Sequence, residues 1–242
     1  MRIVTLNLWG RSGPWRARHR LAAHQLAALR PDVVCLQEVD DTDALRRLAR
    51  ETSLDVAVAD PDGSALAILT RRRRGLERSA VEAAELLVLQ AHSPFESAPR
   101  SLCAVHLAGV TIANTHLSWR ADDGDTRRRQ AEQVSRHLPA PAIVCGDFNC
   151  ELEAPEMAPL TARFVDVLAG TPAAARPTWD NRNPHTAPYR ADYADMRIDL
   201  ILADPGVLAR HERRETAVVL DAPDRDGLYA SDHFGVLVDL HS

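Results

Sequence analysis

Aromatic residues make up only 5% of this 242-residue chain, and no apolar run approaches the length of a bilayer span. Short runs argue against a transmembrane helix. The lack of an apolar, aromatic-rich loop argues against docking on a membrane surface. Cysteine is sparse too. None of Cys35, Cys103, Cys145 and Cys150 forms a C-x-x-C pair, and the first three sit in apolar, strand-like runs. They read as small core residues, which leaves no disulfide framework and no zinc site. There is no glycine-rich phosphate loop of the Walker type, and no serine or cysteine in an elbow-like setting. Phosphate-loop chemistry and a covalent nucleophile are therefore not expected. Positive charge is not in excess. The net charge is −5, which gives no global pull toward nucleic acid or an anionic membrane. Two local basic runs, Arg71–Arg74 and Arg127–Arg129, read as solvated arginines. The start, Met1–Leu6, is too short an apolar run for a signal peptide, so a cytoplasmic protein is expected.

What is present is an alternation of strands and helices with a 45% hydrophobic composition, enough for a continuous core. Arg2–Leu8 predicts a strand. Trp15–Arg30 predicts a helix with Leu21, His24 or Gln25, Ala28 and Leu29 on one stripe. Val33–Leu36 predicts a buried strand, and Asp41 offers an N-cap to a helix over Ala44–Glu51. Strands over Leu54–Ala59 and Ala65–Thr70 flank the turn Asp60-Pro61-Asp62-Gly63. Strands over Arg100–Leu107 and Val110–His116 flank the tight hairpin Ala108-Gly109. A helix over Thr126–Leu138, a strand over Ala142–Cys145, a long loop over Ala169–Asp195, and strands over Arg197–Ala203 and Phe234–Leu240 complete the order. Strands outnumber helices and most are joined by short links. The expected fold is one domain over residues 1–242, a four-layer α/β/β/α sandwich of two packed mixed sheets flanked by helices.

Polar residues recur at the ends of the apolar runs. They are Asn7, Glu38 after Val33–Gln37, His116, Asp147 and Asn149 after Gly146, and the pair Asp232-His233. A carboxylate just past a buried strand can hold a hard cation. Asp147 and Asn149, two apart on an extended chain, point the same way. Asp199 lies inside the apolar run Ile198–Leu202 and needs a partner. His233 is the obvious one, and such an acid–imidazole pair fixes the ring tautomer and raises its basicity. Oxygen-rich ligands with few histidines favour Mg²⁺, with Mn²⁺ as substitute, over zinc. The set fits metal-assisted attack of water on a phosphate ester.

Thr5-Leu6-Asn7-Leu8-Trp9, Leu36-Gln37-Glu38-Val39, Asn114-Thr115-His116-Leu117, Gly146-Asp147-Phe148-Asn149, Arg197-Ile198-Asp199-Leu200-Ile201 and Ser231-Asp232-His233-Phe234 fall in a familiar order. In that order the chain resembles the endonuclease/exonuclease/phosphatase superfamily, from residue 5 to residue 234. The resemblance implies Glu38 as the principal Mg²⁺ ligand, with Asp232 at the metal or its hydration shell and Asn7 supporting the metal or its water. It implies Asp147 as the group that orients or deprotonates the attacking water, and Asn149 as a phosphoryl-oxygen ligand. His233 would stabilise the transition state or act as base, held by Asp199. His116 would bind a phosphate oxygen or protonate the leaving group. A histidine at 116 leans toward the deoxyribonuclease, sphingomyelinase or general phosphodiesterase branches. The absence of any acid between Gly63 and Arg74 leans toward one metal ion. A Thr-Trp segment resembling one found in many members suggests Trp179 for leaving-group or nucleotide stacking and Arg182 or Asn183 for phosphate; the same Trp could instead pin a long loop. The implied activity is Mg²⁺-dependent phosphodiester hydrolysis, with DNA, RNA or a related nucleotide as partner. Sphingomyelinase-like or inositol-phosphate activity is the alternative, and an inactive binding module on the same fold is the reading from a different class.

Overall fold

The chain is described here from a computed structural model over residues 1–71, 81–211 and 213–241. Residues 72–74 of the first basic run lie outside the described residues; Arg71 pairs with Asp32 at 3.0 Å. Among the described residues no helix is long and apolar enough to cross a membrane. The strands are β1 (Arg2–Asn7), β2 (Val33–Gln37), β3 (Leu54–Asp60), β4 (Leu66–Arg71), β5 (Val81–Val88), β6 (Ser101–Leu107), β7 (Val110–His116), β8 (Ala142–Asp147), β9 (Val165–Asp166), β10 (Asp199–Ala203), β11 (Arg213–Val219) and β12 (Gly235–His241). The main helices are α1 (Trp15–Leu29), α2 (Thr42–Thr52) and α3 (Gly124–His137).

The strands form two six-stranded mixed sheets, ordered β11-β12-β1-β2-β4-β3 and β5-β6-β7-β8-β10-β9. Each sheet has one parallel pair, β1–β2 and β7–β8. In each, a helix makes the crossover and an antiparallel strand lies on either side. The sheets thus share one topology, a repetition carried by connection order with no repeated sequence to announce it.

Strand alternation decides the layers. Ile3, Val33, Cys35 and Ile68 face the other sheet and meet Cys103, Ile112, Ile143, Cys145 and Ile201 in the central core. The residues between them, Val4, Leu6, Leu36 and Leu69, point outward under α1 and α2. On the other side Ala113, Val144 and Leu202 pack under α3. Both faces of the central strands are therefore covered, as their unbroken apolar runs require. The helix and strand bounds match the expected ones to within a few residues, and β5, β9 and β11 add to them. Asp41 caps α2 by accepting from the amides of Asp43 and Ala44.

The buried stripe of α1 differs from expectation. Arg18, His19, Ala22, Ala23 and Leu26 face inward, while His24 and Ala28 are exposed. The cause is Arg18, which is fully buried and donates to the carbonyls of Leu8, Trp9, Gly10, Ser12 and Ala230. Its guanidinium satisfies two loops at once, and the helix turns to deliver it. Burial lowers its pKa to about 10.

Gly146, inside β8, is glycine for a steric reason. Its φ is +149°, and a Cβ there would stand 1.9 Å from the Thr115 carbonyl oxygen, which belongs to rigid strand backbone. We expect Gly146→Ala to lower unfolding stability by about 2–3 kcal/mol through overpacking and backbone strain. Urea unfolding midpoints check this; an unchanged midpoint would contradict it.

Candidate active site

The strand-end residues converge on the seam between the sheets. Asn7, Glu38, Asp232 and His233 are carried by the ends of β1 and β2 and by the approach to β12, all in the first sheet. His116, Asp147, Asn149 and Asp199 are carried by β7, β8 and β10 in the second. Parallel strands end together at this edge, and the neighbouring antiparallel strand begins there, so both sheets deliver side chains to one place. Glu38 and Asn149 each follow their strand with a left-handed backbone, φ 54° and 52°. That conformation is strained for residues with a Cβ and recurs at functional sites. It turns each side chain back over the strand mouth.

Hydrogen bonds tie the two halves. The Asn7 amide donates to Glu38 Oε1 and to Asp147 Oδ2, both at 3.0 Å. Its oxygen accepts from the Trp9 amide at 2.9 Å. Asn7 therefore aligns two acids and has its oxygen turned to the backbone. His233 Nδ1 lies 2.8 Å from Asp199 Oδ2, the pair expected from the sequence. His233 Nε2 and His116 Nε2 approach Asp147 Oδ2 at 3.8 and 3.4 Å. Asn149 donates its backbone N–H to Asp147 Oδ1 and its side-chain amide to the Leu117 carbonyl. Deeper in the seam, Gln37 donates to Asn114 at 2.6 Å, and Asn114 donates to the Leu36 and Ala67 carbonyls. This amide pair bolts the sheets together beneath the site.

The electrostatics are uneven. Burial pushes the Asp147 carboxyl up to about 6, aided by repulsion from Asp199, against the pull of His233 and Asn7. Burial also raises Asp232 to about 7, and Glu38 adds repulsion. Burial opposes charge on His233, but Asp199, Asp147 and Asp232 outweigh it and hold its pKa well above the ordinary range. His116 goes the other way: burial, then Arg100 and His233, push it well below the ordinary range. Two neighbouring imidazoles thus sit in opposite states at neutral pH, His233 charged and His116 neutral.

Asp147, Asp199 and His233 present ligand-type atoms within 4.8 Å of one another. The bonds just described already use those atoms on each other. Glu38 and Asp232 are better suited. They line one cavity, they repel, and the nearby Arg18 spends its hydrogen bonds on carbonyls. Two carboxylates held together without a bonded cation fit a hard divalent ion.

The Thr178-Trp179 segment is a strap. Thr178 Oγ1 accepts from the amides of Ile198 and Asp199, and Trp179 bridges to Met196 on one side and His233 on the other. The Trp179 ring meets the His233 ring edge-on at 5.2 Å, and it also borders a cavity. Asn183 is fully buried and donates to the carbonyls of Ser231 and Asp232, so it positions the Asp232-His233 turn. Arg182 is exposed and paired with Asp180 at 2.6 Å, away from the cavity lining. Of the second basic run, Arg127 is buried against Glu156 and backbone carbonyls, while Arg128 and Arg129 are solvated.

Sequence reasoning missed Glu96, Arg100, Trp119, Tyr189 and Tyr193. Glu96 is held by Arg100, Ser118 and the Trp119 amide beside His116. The i,i+4 acid–base spacing ahead of β6 was a signal for the pair. Nothing local marks the aromatic residues.

A family model described as the Endonuclease/Exonuclease/phosphatase family matches residues 4–233. Nocturnin from Mus musculus is 30% identical over 159 residues, covering 57% of this chain and 37% of that protein. The chain therefore spans little more than a third of the length of the curated relatives it matches. Among solved structures, D. rerio TDP2 complexed with a single-strand DNA product superposes with a TM-score of 0.75 at 24% identity, covering 99% of this chain and 98% of that one. Sphingomyelinase C from Streptomyces griseocarneus superposes with a TM-score of 0.73 at 18% identity, covering 98% of both chains. At those identities the likeness is one of fold.

Proposed function

The chain belongs to the endonuclease/exonuclease/phosphatase family, and on that footing we propose that it hydrolyses a phosphodiester in a nucleic acid or nucleotide by in-line attack of water. The observation that carries the reading is the charged His233–Asp199 pair, 2.8 Å apart, set 3.8 Å from an Asp147 carboxyl whose pKa is raised to about 6. Glu38 and Asp232 would hold Mg²⁺, or Mn²⁺ in its place, which would supply Lewis-acid polarisation of a phosphoryl oxygen. Asp147 takes the proton of the attacking water, because a carboxyl near 6 is ionised at neutral pH yet basic enough to accept it. His233, held charged, donates a hydrogen bond from Nε2 to the developing negative charge. Asn149 adds a second donor. His116, neutral and beside Asp147, orients the phosphate from the opposite side. Asn7 and Asn183 keep this geometry. Glu96 is the further acid next to His116, but its oxygens are taken by Arg100, Ser118 and Trp119. This supports a single metal ion.

A nucleotide substrate is supported by the likeness to TDP2, solved with a single-strand DNA product. A sphingomyelin-type lipid is the second reading, because Phe95 and Trp119 stand exposed beside the site, 65% and 49%. The test is turnover on bis(p-nitrophenyl) phosphate, single- and double-stranded DNA, RNA, sphingomyelin and an inositol polyphosphate, with Mg²⁺ and with EDTA. We expect Mg²⁺-dependent cleavage of the diesters, with nucleotide substrates preferred. Metal-independent turnover, or none on any diester, would refute the proposal.

A further inference from the structure

Two cavities meet at the candidate active site. One, of about 470 Å³, extends from the shared residues toward Ser64, Ser97 and Arg100. The other, of about 350 Å³, extends toward Trp9, Trp179, Tyr189 and Tyr193. Glu38, Trp119, Asn149 and His233 border both. A phosphate over that shared floor has room for a substituent on each side, and the two sides differ in chemistry. The first lobe is polar and carries an arginine. The second has no lysine or arginine among its described lining residues, and its one basic group, His233, belongs to the shared floor.

The second lobe gathers aromatic side chains out of proportion to their supply. The chain has four tryptophans and three tyrosines, and three and two of them line this lobe. They are not there as core. None belongs to the buried clusters, and Trp119 and Tyr189 are 49% and 42% exposed. The wall is continuous with the chemistry: Trp179 packs on His233 at 5.2 Å, and Tyr189 and Tyr193 lie 5.9 and 6.2 Å from Trp179. Arg18 lies over the Trp9 ring at 4.6 Å and Arg120 stands 5.9 Å from that of Trp119, while Tyr189 and Tyr193 meet only the ring of Trp179; accessible π faces of this kind bind flat rings, and any base can stack on them.

We infer that the cleft takes a phosphodiester lengthwise, with one nucleobase lodged among Trp119, Tyr189 and Tyr193 and the rest of the substrate in the polar lobe. This rests on the phosphodiesterase reading and specifies it: the substrate is an unpaired nucleotide strand. A base inside a duplex has both faces stacked and would have to leave the helix to enter the lobe.

The experiment uses the dinucleotide dTpdT and two analogues, each lacking one of its bases. KM and kcat are measured with Mg²⁺ for the wild type and for Tyr189→Ala/Tyr193→Ala. We expect one analogue to show a KM raised roughly 5- to 100-fold, the span of one stacked base, with the other within about twofold. In the double variant the parent's KM rises to that of the affected analogue, and the penalty for the missing base disappears. Two analogues equal to the parent in the wild type, or a variant that keeps the penalty, would overturn the inference. A second readout needs no turnover: in EDTA, thymidine 5′-monophosphate should quench tryptophan fluorescence saturably in the wild type and not in Trp119→Ala or the tyrosine variant. Absence of wild-type quenching also overturns it. Quenching with no cleavage of any dinucleotide would instead remove the catalytic reading and leave the ring site standing. Cleavage indifferent to either base would do the reverse.

Discussion

Asp147→Asn is expected to lose about 10²–10⁴-fold in kcat at saturating Mg²⁺ while folding as well as the wild type. The substitution keeps the shape of the side chain but removes its basicity and turns one of its two acceptor oxygens, which take the Asn7 and Asn149 N–H groups, into a donor. It also removes a buried negative charge that Asp199 and burial disfavour, which offsets the lost hydrogen bond. The pH profile separates base from scaffold. Asp147 must be ionised and His233 protonated, so wild-type activity appears as pH rises through the Asp147 pKa, about 6 without a cation. It fades where His233, held well above its ordinary range, gives up its proton. A cation beside Asp147 favours its ionised form, so the acid limb should move to lower pH as Mg²⁺ is raised. Residual activity in Asp147→Asn should lack that limb. A variant with near-wild-type kcat, or one that keeps the limb, would show that another group takes the proton. His233→Ala is a poorer probe, because it strands the Asp199 carboxylate in the interior, where an unpaired charge costs roughly 3–5 kcal/mol.

Asp232→Asn should stabilise the metal-free protein and abolish its response to Mg²⁺. The folded-state pKa of Asp232 is raised from 3.8 to about 7, by burial first and then by Glu38. An acid whose folded pKa lies above its unfolded one destabilises the fold wherever it is ionised. The penalty is absent below pH 4, grows between pH 4 and 7, and is complete above 7. At 1.36 kcal/mol per pH unit the gap sets a ceiling of about 4 kcal/mol. Thermal melts at pH 8 in EDTA should therefore place the variant several degrees above the wild type, and melts at pH 3.5 should coincide. Adding Mg²⁺ should raise the wild-type melting temperature by linkage and leave the variant unmoved. If the variant melts lower in EDTA and still responds to Mg²⁺, Asp232 is neither a burdened acid nor a metal ligand.

The pairing of Asp199 with His233 was legible from sequence because an acid inside Ile198–Leu202 had to find a partner, and few imidazoles follow an apolar strand boundary. The strands themselves were legible because alternation and buried runs are local properties. The inward face of α1 was legible only in part. Leu21 and Leu29 pack at the edge of the core as their pattern suggested, Ala28 does not, and only the tertiary demand of five carbonyls explains a buried Arg18. Asn183 illustrates the same limit. A loop amide gives no hint whether it will meet substrate or, as here, the Ser231 and Asp232 carbonyls. Trp179 was singled out from sequence, but the rest of the aromatic lobe was not, because Trp9 and Trp119 come from loops distant in sequence from the one that carries Trp179, Tyr189 and Tyr193, with no shared period.

The acids and imidazoles of the site are mounted on opposite jaws, one per sheet, and the few hydrogen bonds across the seam hold the jaws at the gap that the core between them sets. That gap is the thickness of the interior, filled by Ile3, Cys35 and Ile68 against Ile112, Ile143 and Ile201. The core is in effect a shim. A methylene added or removed there, far from any phosphate, changes the calibre at which Asp147 meets Glu38 and His233 meets Asp199. Since a misplacement of about 1 Å can cost 10²-fold in rate, interior volume in this fold is a kinetic variable before it is a thermodynamic one.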